Sequence, residues 1–399
     1  MTMFRMSVAV PPSTDRSVGF GAFGASRWVA AAGLLVVLAG IFIAPSRVWP
    51  NVLLVSVYFV GLGLAGILFL AFHYLLTAGW SVCIKRTAEA VASTIPIGAL
   101  LVVFTLFGAG VLYEWTHTAA VEADPLLSQK TGWLNLPFFV VRTLIYFGVW
   151  ILFSHLLVRH SRRQDSTGGL AAQRRNTALS AAFIALFFVT FSLASFDWLM
   201  SLEPHWYSTM FAVHQFAGLF VAGLSVMTIT VILLKRRGAL AGILTEHHLH
   251  DLGKLLLGFT TFWMYIWFCQ YMLIWYSNLP EEVGFYENRV QGSWGVLTIV
   301  SLLANWLIPF LVLLPRPTKH HENTLLIICT LLLLGHWLDL FLIIQPVFEP
   351  SAPRFGLWEI APVAAGVALF VIVLRRGLAA ADPVPQKDPY LEESLRHHQ

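Results

Sequence analysis

Charge is scarce in this chain. Of its 399 residues only 12% are Asp, Glu, Lys or Arg, whereas soluble domains carry about 25%. So few ionic groups cannot cover a globule of this size, which excludes a soluble enzyme, a nucleic-acid binder and a disordered scaffold. Cysteine is nearly absent too. Cys83, Cys269 and Cys329 are scattered without a C-x-x-C pair, so they can neither hold an iron–sulfur cluster nor attach a c-type haem. Cys269 and Cys329 sit in apolar stretches, where a thiol packs as a small hydrophobe. No nucleotide-binding loop, nucleophile elbow, helical H-E-x-x-H or Glu-x-x-His pair occurs. No apolar stretch holds two histidines, so a membrane haem would need His73 to meet His155, or His214 to meet His336. The chain carries no evident redox centre, metal site or catalytic nucleophile.

What it has instead is apolar bulk. The sequence is 57% hydrophobic with 30 Phe and 15 Trp, and its mean hydropathy is +0.73. A bilayer core about 30 Å thick takes about 20 apolar residues per helix. Ten stretches meet that length: 28–44, 52–77, 95–113, 136–157, 178–201, 210–234, 254–277, 294–315, 323–344 and 358–375. Lipid leaves every backbone polar group to be satisfied within its own segment, so these runs are expected to be helices. The first is not read as a cleaved signal, because 27 residues precede it and Pro45-Ser46-Arg47 is a poor cleavage site.

Positive charge sorts to alternate loops. The N-terminal tail, loops 78–94, 158–177, 235–254 and 316–322, and the C-terminal end from Arg375 hold 20 of the 25 Lys and Arg, and the opposite loops hold only Arg47, Lys130, Arg289 and Arg354. The basic side is the cytoplasmic one. The expected organisation is therefore a cytoplasmic N-terminal tail at 1–27, a ten-helix transmembrane domain at 28–375 and a cytoplasmic C-terminal tail at 376–399. Nine carboxylates make the outer face acidic, and ten tryptophans lie near span ends, where an amphipathic indole prefers the interface.

An internal repeat divides the spans. Phe59-Val-Gly-Leu-Gly-Leu-Ala-Gly66 in the second matches Phe216-Ala-Gly-Leu-Phe-Val-Ala-Gly223 in the sixth, 157 residues later. The same offset lays the third span on the seventh and the fourth on the eighth; the fifth reaches the ninth after a 12-residue shortening. The expected fold class is all-α integral membrane. Two four-helix bundles, at about 52–201 and 210–344, would be related by a pseudo-twofold along the membrane normal, with two peripheral helices. Gly61/Ala65 and Gly218/Ala222 would let helix backbones approach closely.

Ionisable side chains inside a membrane are costly and need a reason. Toward the outer side lie Glu114, His117, Arg142, Asp197, His214, His336 and Asp339, with Glu203 and His205 in the turn between the fifth and sixth spans. Asp197 stands roughly 6 Å below the span end, and His336 and Asp339, i and i+3 on one face, roughly 12 and 7 Å deep. If these groups converge, they form a buried proton relay or a polar pocket for a quinone head; the alternative is an Arg142–carboxylate pair with solvated helix ends. On the inner side, Lys85 with Glu89 and Asp251 with Lys254 read as surface ion pairs. His247, His248, His320 and His321 read as solvated. His73 lies about a turn inside the membrane, either bonded to a carbonyl or on a proton route.

Several stretches carry a resemblance: Ala78–Ala90; Ser195-Phe-Asp-Trp-Leu-Met-Ser-Leu-Glu-Pro-His-Trp206; and Asp251-Leu-Gly-Lys-Leu-Leu followed by Phe262–Tyr276. They resemble the second quinone-reductase-like membrane subunit (ActF type) of bacterial alternative complex III, a relative of the polysulfide reductase (NrfD-like) membrane subunit. The resemblance covers roughly residues 50–345. It implies a bacterial inner-membrane complex that oxidises quinol and reduces a cytochrome c-type acceptor. The implied partners are a multihaem cytochrome c, an iron–sulfur protein and a paralogous ten-helix subunit, which carry the haems and clusters. This chain would bind no covalent or metal-ligated cofactor, with quinone or quinol as its candidate small ligand. Its implied place is non-catalytic, as quinone-type pocket, proton path or scaffold. A secondary transporter and a purely structural subunit are the readings from other classes.

Overall fold

A computed structural model describes residues 23–398. Ten helices are long and apolar enough to cross a membrane, and there is no strand among the described residues. Spans 1 to 10 run Gly24–Ile43, Pro45–Leu75, Gly79–Leu112, Leu136–Thr167, Leu170–Leu202, Phe211–Arg236, Glu246–Ser277, Gly292–Leu313, Glu322–Phe348 and Leu357–Ala379. All ten expected stretches fall within or against these helices. The expected tail at 1–27 lies largely outside the described residues, and its last part already belongs to the helix that starts at Phe23. Spans 4, 5 and 7 extend two to three turns beyond their expected inner ends, through Arg159, Arg162, Arg174 and His250. Hydropathy marks where lipid stops, and a helix needs no lipid to continue.

Spans 2 and 6, which carry the repeated motif, pack on each other at the centre, and their most apolar windows are 94% and 89% buried. The corresponding windows of spans 1, 3, 4, 5, 7, 8 and 10 are 22–44% buried, as faces turned to lipid require. Spans 2, 3, 4 and 5 pack successively and close through 5 against 2; spans 6, 7, 8 and 9 do the same through 9 against 6. Span 2 also touches span 9, and span 6 touches span 5. Spans 1 and 10 pair with each other and lean on span 2. The central contact depends on missing side chains: a Cβ on Gly223 would stand 2.0 Å from that of Ala65. Gly66 faces span 3 instead, where a Cβ would meet the Ala88 carbonyl at 2.8 Å.

The inner-side pairs differ from the surface pairs expected from spacing. Lys85 is buried and its Nζ bonds Asp388 Oδ2 at 2.7 Å, while Glu89 accepts from Arg86 Nη1 at 2.7 Å and from Ser161. Arg86 reaches Asp165 on span 4 as well. Asp251 does pair with Lys254 at 2.6 Å, but it is buried and also bonds His397 Nε2 at 2.6 Å. His248, expected in solvent, is buried and caps span 7 from within its first turn. The common cause is the segment after span 10. It crosses the helix ends on the basic side: Gln386 N donates to Asp165 Oδ1, Lys387 Nζ to the Ser166 carbonyl, and Ser394 Oγ to the Trp80 carbonyl.

Burial alone would push the Asp388 carboxyl up, but the Lys85 ammonium outweighs it and holds it below the usual carboxylate range. A carboxyl depressed in the folded state contributes stability above its ordinary value of about 3.9, lost as pH falls through the folded value. The Asp388 contribution to docking of 386–397 should therefore be constant from about pH 5 to 8 and weaken only in stronger acid. Asp388→Asn leaves Lys85 uncompensated at a cost of about 3–5 kcal/mol. Amide exchange across 386–397 should accelerate accordingly at neutral pH, and exchange as slow as in the parent would refute the strap.

Candidate functional site

The groups expected near the outer side do not converge on one chamber; the ring of spans 2–5 and the ring of spans 6–9 each keep a carboxylate. In the first, Asp197 of span 5 is fully buried and accepts four hydrogen bonds. Arg142 Nε and Nη2 donate at 2.8 Å each, Trp133 Nε1 at 2.9 Å and Tyr146 Oη at 2.8 Å. Arg142 spends Nη1 on the Trp133 carbonyl and lies between the Trp133 and Phe138 rings, 4.1 and 4.3 Å from their centroids. This bidentate, stacked geometry saturates both charges. The first carboxylate is an anchor, matching the Arg142–carboxylate alternative.

The second carboxylate is built differently. Asp339 of span 9 accepts from Trp263 Nε1 of span 7 at 3.2 Å, and His214 Nε2 of span 6 stands 3.8 Å from its Oδ2. That separation suits an ion pair when the imidazole is protonated but is too long for a hydrogen bond. His214 is the basic group within 4 Å of Asp339 among the described residues. His336, one turn before Asp339, lies against the Tyr58 ring at 5.4 Å and against Gly218, where a Cβ would come within 2.7 Å of its Nδ1. The missing side chain of Gly218 thus makes room for an imidazole, whereas the spacing suggested a helix crossing. His214 Nε2 and His336 Nδ1 are buried without a hydrogen-bond partner.

Beside this set lies a cavity of about 40 Å³, lined by His214, Gln270, Tyr286, Arg289, Ser301 and Asp339 among others. A void of that size with polar walls has room for one or two waters. A second, of about 20 Å³, is lined by Ser195, Gln215 and His336 at the contact between spans 2, 5, 6 and 9. Gln215 Nε2 stands 3.3 Å from His214 Nδ1 and links the two lining sets.

Arg289 is the site residue that sequence reasoning missed, having been counted only as an outer-loop cation. It ends the short helix Pro280–Val290, which roofs the second bundle, and it is buried. Pro346 has no N–H for the Leu342 carbonyl four residues back, and Arg289 Nε supplies the donor at 2.8 Å. Its Nη2 bonds the Ile343 carbonyl at 2.8 Å and Glu203 Oε1 at 2.6 Å. Burial pulls its guanidinium below the ordinary value while Glu203 opposes the shift, and burial pushes the Tyr286 phenol up. The usable signal was an arginine three residues before a span on an otherwise acidic face. Span 8 adds a π-helical turn at Leu303–Leu307, just before Pro309, and π turns gather at functional sites. There Asn305 donates to Ser301 Oγ at 3.1 Å, a side chain that lines the cavity.

The remaining predicted residues stand apart. His205 bonds Asp124 Oδ2 at 2.5 Å on the exposed rim, where the Leu126 N–H and His205 hold that carboxyl below its usual range. Glu114 is exposed in the turn after span 3, and His117 bonds the Gly110 carbonyl at 2.7 Å. His73 belongs to the inner side: it is buried, with Nδ1 2.8 Å from Ser81 Oγ, and its expected carbonyl partner is a hydroxyl. His155 is exposed and does not meet it. His214 and His336 do share one site, with Asp339 rather than space for a macrocycle beside them. No protein-family profile and no curated protein matches the chain.

Proposed function

We propose that this chain is a multi-pass subunit of a respiratory quinol:acceptor oxidoreductase of the alternative complex III type, without a redox cofactor of its own. Its spans form two four-helix bundles, 2–5 and 6–9, related by a pseudo-twofold along the membrane normal. Spans 1 and 10 are peripheral, and both tails face the cytoplasm of a bacterial inner membrane. Supporting this are the two closed rings of helices and the matched cross-contacts of span 2 with 9 and span 6 with 5. Lys and Arg also gather on the face that residues 386–397 cover. The Asp197–Trp206 and Asp251–Tyr276 stretches carry the resemblance to the family.

Within that complex the chain's part is a proton site in the second bundle, formed by Asp339, His214 and His336. The observation that carries this is the contrast between two buried carboxylates: Asp197 is neutralised by a permanent cation, and the basic group within 4 Å of Asp339 among the described residues is a titratable one. A carboxylate beside an imidazole, with room for water and unpartnered ring nitrogens nearby, can take up and release a proton. Quinol oxidation sheds protons along with electrons; here the electrons leave through the haem- and cluster-bearing partners while this site handles protons. A quinone ring is larger than the 40 Å³ void, so the ring binds elsewhere in the assembly. Gentle solubilisation and affinity capture of the full chain should bring down a multihaem cytochrome c, an iron–sulfur protein and a second ten-span subunit. Capture of this chain alone, active as a carrier after reconstitution, would replace this reading with transport.

A further inference from the structure

A groove of about 730 Å³ runs between spans 2, 6, 9 and 10, within the range of about 300–1,000 Å³ typical of ligand clefts. Its lining on span 10 extends from Glu359 to Leu378, roughly 28 Å at 1.5 Å per residue and close to the roughly 30 Å of a hydrocarbon core. The walls are apolar almost throughout, with Phe59, Leu62, Ile229, Leu333, Val363 and Val367 facing in.

The two ends differ in charge. Glu359, at one end, is neutralised by Arg47, whose Nη2 lies 2.9 and 2.8 Å from its two oxygens. Arg237 and Arg375, at the other, close the groove at the C-terminal ends of spans 6 and 10. A guanidinium has five donors and suits phosphate geometry, so it can hold a phosphate while keeping another contact. The hydroxyls along the groove are already committed: Tyr58 donates to the Leu333 carbonyl at 3.0 Å, Thr230 to Val226 at 2.7 Å and Thr330 to Leu326 at 2.7 Å. A quinone ring would therefore find no hydroxyl proton for its oxygens.

We propose that this groove is a binding site for an anionic phospholipid, with its phosphate on Arg237 and Arg375 and acyl chain laid along spans 2 and 10. Basic pockets between spans at the cytoplasmic side favour such headgroups, and apolar walls take the chain. The lipid enters from the arginine end, and its acyl chain runs roughly 17 Å along span 10 to reach Ala364.

The test uses the full chain, in its complex where one is captured, exchanged into phosphatidylcholine nanodiscs containing phosphatidylglycerol and examined by native mass spectrometry and lipid extraction. The parent should retain phosphatidylglycerol well above its share of the disc. Arg237→Gln with Arg375→Gln should weaken retention about 25-fold, at roughly fivefold per arginine. Ala364→Phe, which fills the groove and leaves both arginines, should also expel the lipid. Equal retention of the two lipids by the parent overturns the proposal without any variant being needed. So does a stoichiometric quinone that leaves with Ala364→Phe but not with the arginine changes. A crosslink from position 364 to another polypeptide would overturn it in favour of a partner helix.

Discussion

Asp197→Asn should cost the protein its stability rather than its turnover. The substitution removes one of two opposite charges that are both buried and leaves Arg142 as an uncompensated cation among Trp133, Phe138 and Tyr146. Breaking a buried pair from one side costs about 3–5 kcal/mol. A double change, Arg142→Met with Asp197→Leu, removes both charges and should recover much of that loss, because a hydrophobic replacement of a buried pair is often neutral. Recovery will be incomplete, since the Trp133 indole and the Tyr146 hydroxyl lose their acceptor at about 1–3 kcal/mol each. Thermal unfolding of the purified chain, in lipid discs, reads the effect. Whatever fraction of Asp197→Asn assembles should turn over normally per complex. A variant that melts like the parent but turns over poorly would transfer the proton function to the first bundle.

Asp339→Asn should do the reverse. Asparagine keeps the volume and can still accept the Trp263 indole bond, and no permanent cation is stranded. Stability should change by about 1 kcal/mol or less. If the second bundle exchanges protons, quinol oxidation per haem should fall about 100-fold, the lower end of what a positioned acid–base group contributes. Asp339→Glu should restore part of the rate where Asn does not, a difference that packing alone would not produce. Full activity in Asp339→Asn, measured with the assembled complex, would remove the proton site from this chain and leave it a scaffold.

The ten spans were legible because lipid imposes length and composition on each helix independently of its neighbours. Helix ends were less so: Arg159 and Arg174 stop the hydrophobic run without stopping the helix. Spacing reasoning reached pairs within a turn, such as Asp251 with Lys254, and failed where partners are distant in sequence. It put Lys85 opposite Glu89 because it could not see Asp388, 303 residues on. The two polar levels were visible, but depth alone could not separate Asp197 from Asp339, which have different helix neighbours and different chemistry. Arg289 escaped because its place depends on a carbonyl freed by Pro346, a relation that exists only once spans 8 and 9 have met.

The Lys85–Asp388 contact also orders the protein's biogenesis. Lys85 reaches the membrane with the third span, whereas its counterion follows the tenth, so through most of insertion this ammonium must stay near the headgroups and cannot settle into its final place. Closing the inner face is therefore a late step. A chain that stops before residue 388 lacks the carboxylate that neutralises the buried Lys85 ammonium.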